Sequence, residues 1–183
     1  MSPTAQPLDP RSPLVIDTHD LGRQAGAQRD YRTDVPAPEG IGNDIIGVRP
    51  ASPIALDLRL ESVVDGVLVT GIATVTVTGE CGRCLEPTED FLELDVQELY
   101  LYPGAEPDDD EASRLEGELL DLEPLVRDEV VLELPFIPLC RDDCAGLCQV
   151  CGANLNADPD HNHGDQIDPR WSDLAAWRDA QDN

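Results

Sequence analysis

The sequence predicts an α+β fold, in which an antiparallel β-sheet core carries one packed helix and a C-terminal appendage containing cysteine and histidine. Two stretches with alternating apolar and polar residues, 52–79 and 88–101, predict the sheet. A helical spacing of apolar residues over 123–134 predicts the helix. The spacing of the cysteines indicates the appendage.

The stretch 52–79 carries the longest strand signal. Apolar residues alternate with polar ones over 54–63, and Asp65-Gly66 then supplies a two-residue turn signal. Alternation resumes over 67–78, with threonines on one face. This pattern predicts a long β-hairpin.

A third strand follows the hairpin. After Pro87, residues 91–100 alternate again between apolar and polar side chains. Cys81 and Cys84 are therefore expected in the turn between two antiparallel strands. Two thiolates at the tip of a hairpin are typical of a zinc knuckle.

The remaining elements have shorter signals. Residues 14–17 and 120–122 are expected to form short strands, and residues 22–40 are expected to be a loop because they have no apolar period. The helix over 123–134 has a proline in its first turn and another directly after its end. These limits predict one helix of about three turns.

The domain organisation follows from these elements. Residues 1–13 are expected to be a disordered N-terminus, 14–139 a β-rich core, and 140–183 a Cys/His segment that ends in a helix beginning near Asp168. That helix is expected to dock on the body through Trp171, Leu174 and Trp177. Within the core, 103–117 is predicted to be an acidic mobile loop, either a solvated tether or a docking loop.

Charge is distributed unevenly along the chain. The 183 residues have a formal net charge of −26, from 38 acidic residues and 12 basic residues that are all arginine. Residues 1–79 have a net charge of −4, and residues 80–183 have a net charge of −22. Because contact with phosphates needs a positive surface, this sign disfavours nucleic-acid binding by the C-terminal half. It favours a basic protein partner, or simply solubility.

The chain has no recognisable catalytic motif, and this absence bears on its functional class. We find no glycine-rich phosphate loop, no nucleophile elbow and no histidine placed beside a hydroxyl nucleophile. No signal peptide or membrane span is indicated either, so we expect a cytoplasmic protein that is not an enzyme and has no small-molecule substrate.

Six cysteines and two histidines carry the strongest chemical signal. In a reducing cytosol, cysteines at C-x2-C spacing are more plausible as metal ligands than as disulfides. Eight such ligands would fill two tetrahedral Zn²⁺ sites, each structural because no open coordination position is apparent. The eight residues are Cys81, Cys84, Cys140, Cys144, Cys148, Cys151, His161 and His163.

Spacing suggests how the ligands divide. Cys148, Cys151, His161 and His163 form a compact set that resembles a short zinc ribbon. A first site then remains, made of Cys81, Cys84, Cys140 and Cys144. The rival grouping places the cysteines between positions 140 and 151 on one ion and leaves the 81–84 pair with a weak or redox role. The two histidines are also open to reading as idle surface residues.

Four blocks of sequence together resemble one known family, the YceD family. The blocks are Cys81-x-Arg83-Cys84-Leu85-x-Pro87, Leu134-Pro135-x-x-Pro138-Leu139-Cys140, Cys144-x-Gly146-Leu147-Cys148-x-x-Cys151-Gly152-x-Asn154-Leu155-Asn156, and Asp168-Pro169-Arg170. The resemblance spans roughly residues 12–178. Many members carry a Cys-x-Cys pair where this chain has His161-Asn162-His163, and imidazole can replace thiolate at zinc.

The resemblance implies a function. Family members are known as large ribosomal RNA subunit accumulation proteins, which implies a non-enzymatic factor supporting 23S rRNA accumulation and large-subunit assembly in bacteria. In many bacteria the family's gene lies beside that for ribosomal protein L32. The expected partners are therefore a large-subunit precursor, and within it a basic ribosomal protein, with L32 a candidate, or 23S rRNA.

Two further expectations concern partner and regulation. Arginines of the N-terminal half give the only plausible RNA-facing surface, namely Arg11, Arg23, Arg29, Arg32, Arg49 and Arg59. The alternative function is a zinc- or redox-responsive regulator, in which a labile cysteine site releases its metal on thiol oxidation.

Overall fold

A computed structural model describes residues 7–105 and 112–163 of the chain. Predictions for residues 1–6, for 106–111 of the acidic loop and for the helix from Asp168 lie outside the described residues. The described residues form a short 3-10 helix, one α-helix and seven strands: β1 (Val15–Asp17), β2 (Gln28–Pro36), β3 (Ile46–Val48), β4 (Pro53–Ser62), β5 (Gly66–Glu80), β6 (Pro87–Leu101), β7 (Leu119–Asp121) and α1 (Glu123–Glu133).

The chain divides into two compact units. One comprises Met1–Gly82 and Glu86–Cys140, and the other comprises Arg83–Leu85 and Arg141–Asn183. Of the described residues, the first unit contains all seven strands and α1. The domain limits expected from the sequence, 14–139 and 140–183, stay a prediction.

Strand β5 lies at the centre of a five-stranded antiparallel sheet. It pairs with β6 along its whole length, from Gly66 opposite Leu101 to Glu80 opposite Pro87. Its other edge pairs with β4 and, near its C-terminal end, with β3. Strand β2 continues the sheet beyond β4. The predicted long hairpin and the third strand are confirmed.

The alternating pattern of the sequence becomes two faces of this sheet. On β4, the apolar residues at alternate positions are buried, while the residues between them are exposed or half-buried. The buried residues of β5 and β6 alternate in the same way, and they belong to the same hydrophobic core as those of β4. Because side chains in a strand alternate between faces, one register decides which residues are buried. The largest fully buried side chains of the three strands are Ile54, Leu58, Leu60, Val67, Val69, Val75, Val77 and Leu94.

A two-stranded ribbon and α1 complete the core. Strands β1 and β7 pair antiparallel, with Ile16 opposite Leu120. Both of these side chains and Val126 and Val130 of α1 belong to the buried cluster. The hydroxyl of Tyr100 on β6 donates to the Asp121 carbonyl oxygen over 3.0 Å. Burial raises the pKa of Tyr100, with the negative charges of Glu98 and Asp121 adding to the effect.

Both ends of α1 follow from the local sequence. Pro124 occupies the first turn, where a missing N–H costs nothing, and the Glu123 N–H donates to the Asp121 carboxylate over 2.9 Å. At the other end Leu134 is already extended, because the residue before a proline is driven out of the helical region. The predicted helix is confirmed, as are the short strands at 14–17 and 120–122.

The prediction of a loop over 22–40 is wrong for residues 28–36. Residues 28–36 form β2, which pairs with β4 along nine residues. The side chains that β2 turns inward are Arg29, Tyr31, Thr33 and Val35, of which only Val35 is fully buried. An edge strand that buries so little has no apolar period, although its backbone pairing is complete. The three residues of β3 are too short to give a period of their own.

Within the described ranges, no helix combines the length and the apolar character that crossing a membrane requires.

Substitution of Gly71 tests the central position of β5. Gly71 has a φ of +147°, and a Cβ added there would overlap the Asp57 carbonyl oxygen of β4. We expect Gly71→Ala to lower the free energy of unfolding by roughly 3 kcal/mol, because strain and overlap add. Urea denaturation monitored by circular dichroism measures this change.

Gly104→Ala is the matched control. Gly104 also has a positive φ, of +93°, but no atom lies within 4 Å of the added Cβ. Equal destabilisation by the two substitutions would mean that close packing of β4 on β5 contributes nothing at Gly71.

Candidate metal centres

The structure brings four cysteines together at one place. The sulfur atoms of Cys81, Cys84, Cys140 and Cys144 all lie within 4.8 Å of one another. Three of the four are buried, with Cys81 fully inaccessible, and Cys140 is exposed. This is the grouping that the sequence analysis expected for the first site, and we call it the four-cysteine cluster.

The turn between β5 and β6 positions the first two thiols. The last pair of the ladder joins Glu80 to Pro87, and inside it the Cys81 N–H donates to the Glu86 carbonyl oxygen over 2.8 Å. Leu85 adopts a left-handed conformation, with φ of +61°, which reverses the chain directly after Cys84. The turn therefore keeps the sulfur atoms of Cys81 and Cys84 within 4.8 Å of each other.

A backbone hydrogen bond places the segment before Cys140 beside this turn. The Gly82 N–H donates to the Pro138 carbonyl oxygen over 2.8 Å. A Cβ at Gly82 would come within 2.7 Å of the Ile137 Cγ2 atom, so glycine permits the close approach. Pro138 is buried, and Cys140 follows two residues later.

Asn156 supports the fourth thiol. Its side-chain nitrogen donates to the Cys144 sulfur over 3.3 Å. Its carbonyl oxygen accepts hydrogen bonds from the Ala145 N–H at 2.9 Å and from the Arg141 guanidinium at 2.7 Å. Hydrogen bonds of this kind orient a ligand.

Arg83 forms hydrogen bonds with the segment that follows Cys140. Its guanidinium donates to the Cys144 carbonyl oxygen over 3.0 Å, and its own carbonyl oxygen accepts the Leu147 N–H at 3.1 Å. Gly146, with φ of +78°, lies against Arg83, and a Cβ there would stand 3.1 Å from the Arg83 oxygen. Arg83 thus positions Cys144 through the backbone.

A second cluster contains the remaining four candidates. The ligand atoms of Cys148, Cys151, His161 and His163 also lie within 4.8 Å of one another. The Cys151 sulfur is 3.2 Å from the Nε2 atom of each histidine, and the two Nε2 atoms are 3.0 Å apart. We call this the Cys2His2 cluster. It is more accessible than the four-cysteine cluster, because Cys151 and His163 are exposed and the other two are half-buried.

Local turns build the Cys2His2 cluster. The Cys148 N–H donates to the Ala153 carbonyl oxygen, and the Gly152 N–H donates back to the Cys148 carbonyl oxygen, both over 2.8 Å. Backbone N–H groups of Cys151 and then Val150 lower the pKa of the Cys148 thiol to about 6. A thiolate is therefore available at neutral pH.

Asp158 lies behind one of the histidines. Its carboxylate oxygen lies 3.6 Å from the Nδ1 atom of His161, while the Nε2 atom of that ring faces the cluster. A carboxylate behind a ligating histidine is a common arrangement at zinc sites, where it fixes the ring and increases its basicity. The His161 ring is thus directed for coordination through Nε2.

The dimensions of both clusters fit one metal ion with tetrahedral coordination. With Zn–S bonds of about 2.3 Å, two thiolates on one Zn²⁺ ion stand about 3.8 Å apart, and histidine nitrogens stand closer. Separations within 4.8 Å, together with the 3.0 and 3.2 Å separations in the Cys2His2 cluster, match this scale. Thiolate and imidazole are the donors that zinc prefers.

Sequence reasoning missed the supporting residues. Asn156 and Asp158 were not predicted to act around the ligands, and the backbone contacts of Arg83 were not foreseen. Arg83 and Asn156 lie within the quoted sequence blocks, and Asp158 lies three residues before His161 in an aspartate-rich stretch. Only the folded chain distinguishes them from ordinary polar residues.

Two of the arginines proposed to face RNA are paired with carboxylates. Arg32 on β2 is 2.7 Å from the Asp57 carboxylate of β4, and Arg59 on β4 is 3.2 Å from the Asp30 carboxylate of β2. The negative charge of Asp57 raises the pKa of Arg32, mainly through their hydrogen bond. These cross-strand pairs give the exposed face of β2 and β4 alternating charges.

The other candidates lie elsewhere. Arg29 is on the opposite face of β2 from Arg32, and its guanidinium donates to the Asp17 carbonyl oxygen over 3.3 Å. The Arg23 guanidinium stands 5.1 Å from the centre of the Tyr102 ring. Arg49 is exposed, and so is Arg11. Their RNA-facing role stays a prediction.

Fold and clusters define a class: an antiparallel β-sheet protein with two sets of Cys/His side chains placed to bind metal ions. Within that class the chain belongs to the YceD family, because the family model described as "Large ribosomal RNA subunit accumulation protein YceD" matches residues 69–177. The match covers the hairpin tip, α1 and both clusters.

Relatives of the chain are found in other organisms. An uncharacterized protein of Mycobacterium tuberculosis is 44% identical over 176 residues, covering 94% of this chain and 84% of the relative. An uncharacterized protein of Mycobacterium leprae is 39% identical, covering 89% and 76%. The maize protein named "Large ribosomal RNA subunit accumulation protein YCED homolog 1, chloroplastic" is 26% identical, covering 62% and 49%. No solved structure matches this chain.

Thiol reactivity tests the geometry of the clusters. In the reduced, metal-free protein we expect Cys140, Cys148 and Cys151 to react with iodoacetamide at least about tenfold faster than the buried thiols of Cys81, Cys84 and Cys144. Mass spectrometry of peptides after timed labelling measures each rate.

The control is the same labelling in concentrated urea, where all six rates should converge. Equal rates already in the absence of urea would contradict the burial of the four-cysteine cluster.

Proposed function

We propose that this protein is a non-enzymatic ribosome-biogenesis factor that supports 23S rRNA accumulation and large-subunit assembly in the bacterial cytoplasm. Membership of the YceD family is the observation that carries the proposal. The printed name of the maize relative, which refers to accumulation of the large ribosomal RNA subunit, supports it. The chain's own sites favour binding over chemistry, since both ligand clusters are closed sets of four.

We propose further that each cluster holds one structural Zn²⁺ ion. Four protein ligands complete a tetrahedral shell, whereas hydrolytic zinc sites keep one position for water or substrate. Burial of three thiols supports the structural role of the four-cysteine cluster. A metal ion there would fasten the β5–β6 turn to the segment around Cys140, cross-linking residues far apart in sequence.

A basic ribosomal protein is the partner that the charges favour. The net charge of −26 opposes contact with a polyanion. Pairing of Arg32 and Arg59 with carboxylates weakens the case for a basic RNA-binding face on β2 and β4. Ribosomal protein L32 is one candidate partner, and direct binding of 23S rRNA is the rival.

The regulator hypothesis would apply to the Cys2His2 cluster. Its exposed Cys151 and His163 are accessible to oxidants. Three buried thiols in the four-cysteine cluster make that cluster less suited to rapid oxidation. We therefore rank an oxidation-responsive role second.

Zinc stoichiometry tests the two sites. We expect about two zinc ions per chain in the wild type, and about one in each of Cys81→Ser and His161→Ala, because each substitution opens one four-ligand shell. Elemental analysis of protein purified under reducing conditions measures the ratio.

His19→Ala is the control, because His19 is exposed and lies outside both clusters. It should retain two ions. A wild type that binds one ion, lost in both Cys81→Ser and His161→Ala, would contradict two separate sites.

Depletion in the source organism tests the proposed function. We expect the ratio of 23S to 16S rRNA to fall, and the protein to co-sediment with large-subunit precursors in sucrose gradients. Re-expression of the wild-type chain should restore the ratio, which controls for effects on neighbouring genes. Unchanged rRNA ratios after complete depletion would overturn the proposal.

A further inference from the structure

An exposed apolar surface lies at the end of α1. Its large side chains are 50%, 76%, 104% and 64% accessible, in the order Val131, Leu132, Phe136 and Ile137. We call it the 131–137 surface. The four side chains fall within seven consecutive residues, so they are confined to a small area of the protein.

Such exposure is unusual for these residue types. Isolated exposed apolar residues are common, but a contiguous group of large ones usually marks a contact with another molecule. Phe136 is the extreme case, since its whole side chain is accessible. Among described residues, no side chain covers it.

Rigid elements present the 131–137 surface. α1 buries Val126 and Val130 in the core, which turns Val131 and Leu132 outward. Beyond the helix, Pro138 is buried, and its carbonyl oxygen accepts the Gly82 N–H at 2.8 Å. Phe136 and Ile137 are therefore held between two anchored points. A surface fixed in this way loses little conformational entropy on binding.

The residues around the surface are acidic. Asp128 and Glu133 are exposed and Glu129 is half-buried. The one cation of α1, Arg127, is directed away: its guanidinium donates to the Gly40 and Glu39 carbonyl oxygens and to the Glu123 carboxylate. The apolar centre thus has a negatively charged rim.

We propose that the 131–137 surface is the docking site for a basic protein segment, in which apolar side chains cover Phe136 and Leu132 and flanking lysines or arginines meet the acidic rim. The inference rests on the proposed function in assigning that segment to a large-subunit ribosomal protein. Apolar burial supplies affinity, and the opposite charges supply orientation and a faster association.

Charge disfavours the other occupants. A second copy of the chain would bring a further net charge of −26 to the acidic rim. Residues 164–183 have five aspartates and two arginines, a net charge of −3, so they too carry the wrong sign. RNA is a polyanion and has no aliphatic groups for Leu132 and Ile137. A basic segment with apolar side chains is complementary to both the apolar centre and the acidic rim.

Site-specific photocross-linking in cells tests the docking site. The photoreactive residue p-benzoylphenylalanine replaces Leu132 or Phe136, and replaces Val64 as a control. Val64 is 83% accessible and lies in the turn between β4 and β5. We expect cross-links to a basic large-subunit protein from positions 132 and 136, at least about tenfold stronger than from position 64. Cross-links to a second copy, to residues 164–183 or to rRNA would overturn the proposal.

Substitution provides the second arm. Leu132→Asp combined with Phe136→Asp should reduce co-sedimentation with large-subunit precursors at least about tenfold, whereas Val64→Asp should not. Both variants should keep the wild-type midpoint of urea unfolding, because neither alters a buried residue. Unchanged co-sedimentation of the folded double variant would overturn the docking site.

The two arms separate this inference from the proposed function. If depletion lowers 23S rRNA but the double variant restores it and sediments normally, the function stands and the docking site is wrong. If the cross-links reach a basic large-subunit protein but depletion leaves the rRNA ratio unchanged, the docking site stands and the function is wrong.

Discussion

Pairing of β5 with β6 over fifteen residues is the constraint on which the rest of the structure depends. The register decides which side chains are buried, since a shift by one residue would exchange the two faces. It also ends at Glu80 opposite Pro87, which places the Cys81–Cys84 turn at the tip of the hairpin. The core and the first two metal ligands therefore have one structural origin.

The two clusters differ in how the chain closes them. The Cys2His2 cluster uses residues between 148 and 163, and turns of a few residues bring them together. The four-cysteine cluster uses residues between 81 and 144, with a long stretch of chain between Cys84 and Cys140. Closing that longer loop costs more chain entropy. The four-cysteine cluster is mostly buried, whereas the Cys2His2 cluster is half-buried to exposed.

Charge and apolar exposure together describe how the protein meets a partner. Cross-strand pairing neutralises two arginines of β2 and β4, so a high count of arginine in the N-terminal half does not translate into a basic face there. At the end of α1, by contrast, the apolar side chains of the 131–137 surface stand among acidic ones. Exposed apolar groups provide binding energy that a purely acidic, solvated surface lacks.

The sequence by itself determined the long hairpin, the third strand and α1, and it offered the two sets of four candidate ligands as one of two groupings. Each has a local cause: alternation with period two, a helical spacing between prolines, or cysteines with two residues between them. Tertiary structure alone decided the rest. Strand β2 depends on pairing with β4 and not on its own apolar pattern, so its sequence resembled a loop. Arg83, Asn156 and Asp158 gain their positions only when the chain folds around the thiols and imidazoles. Exposure of Phe136 was hidden for the same reason, because an apolar residue in a sequence predicts burial until the fold shows that nothing described covers it.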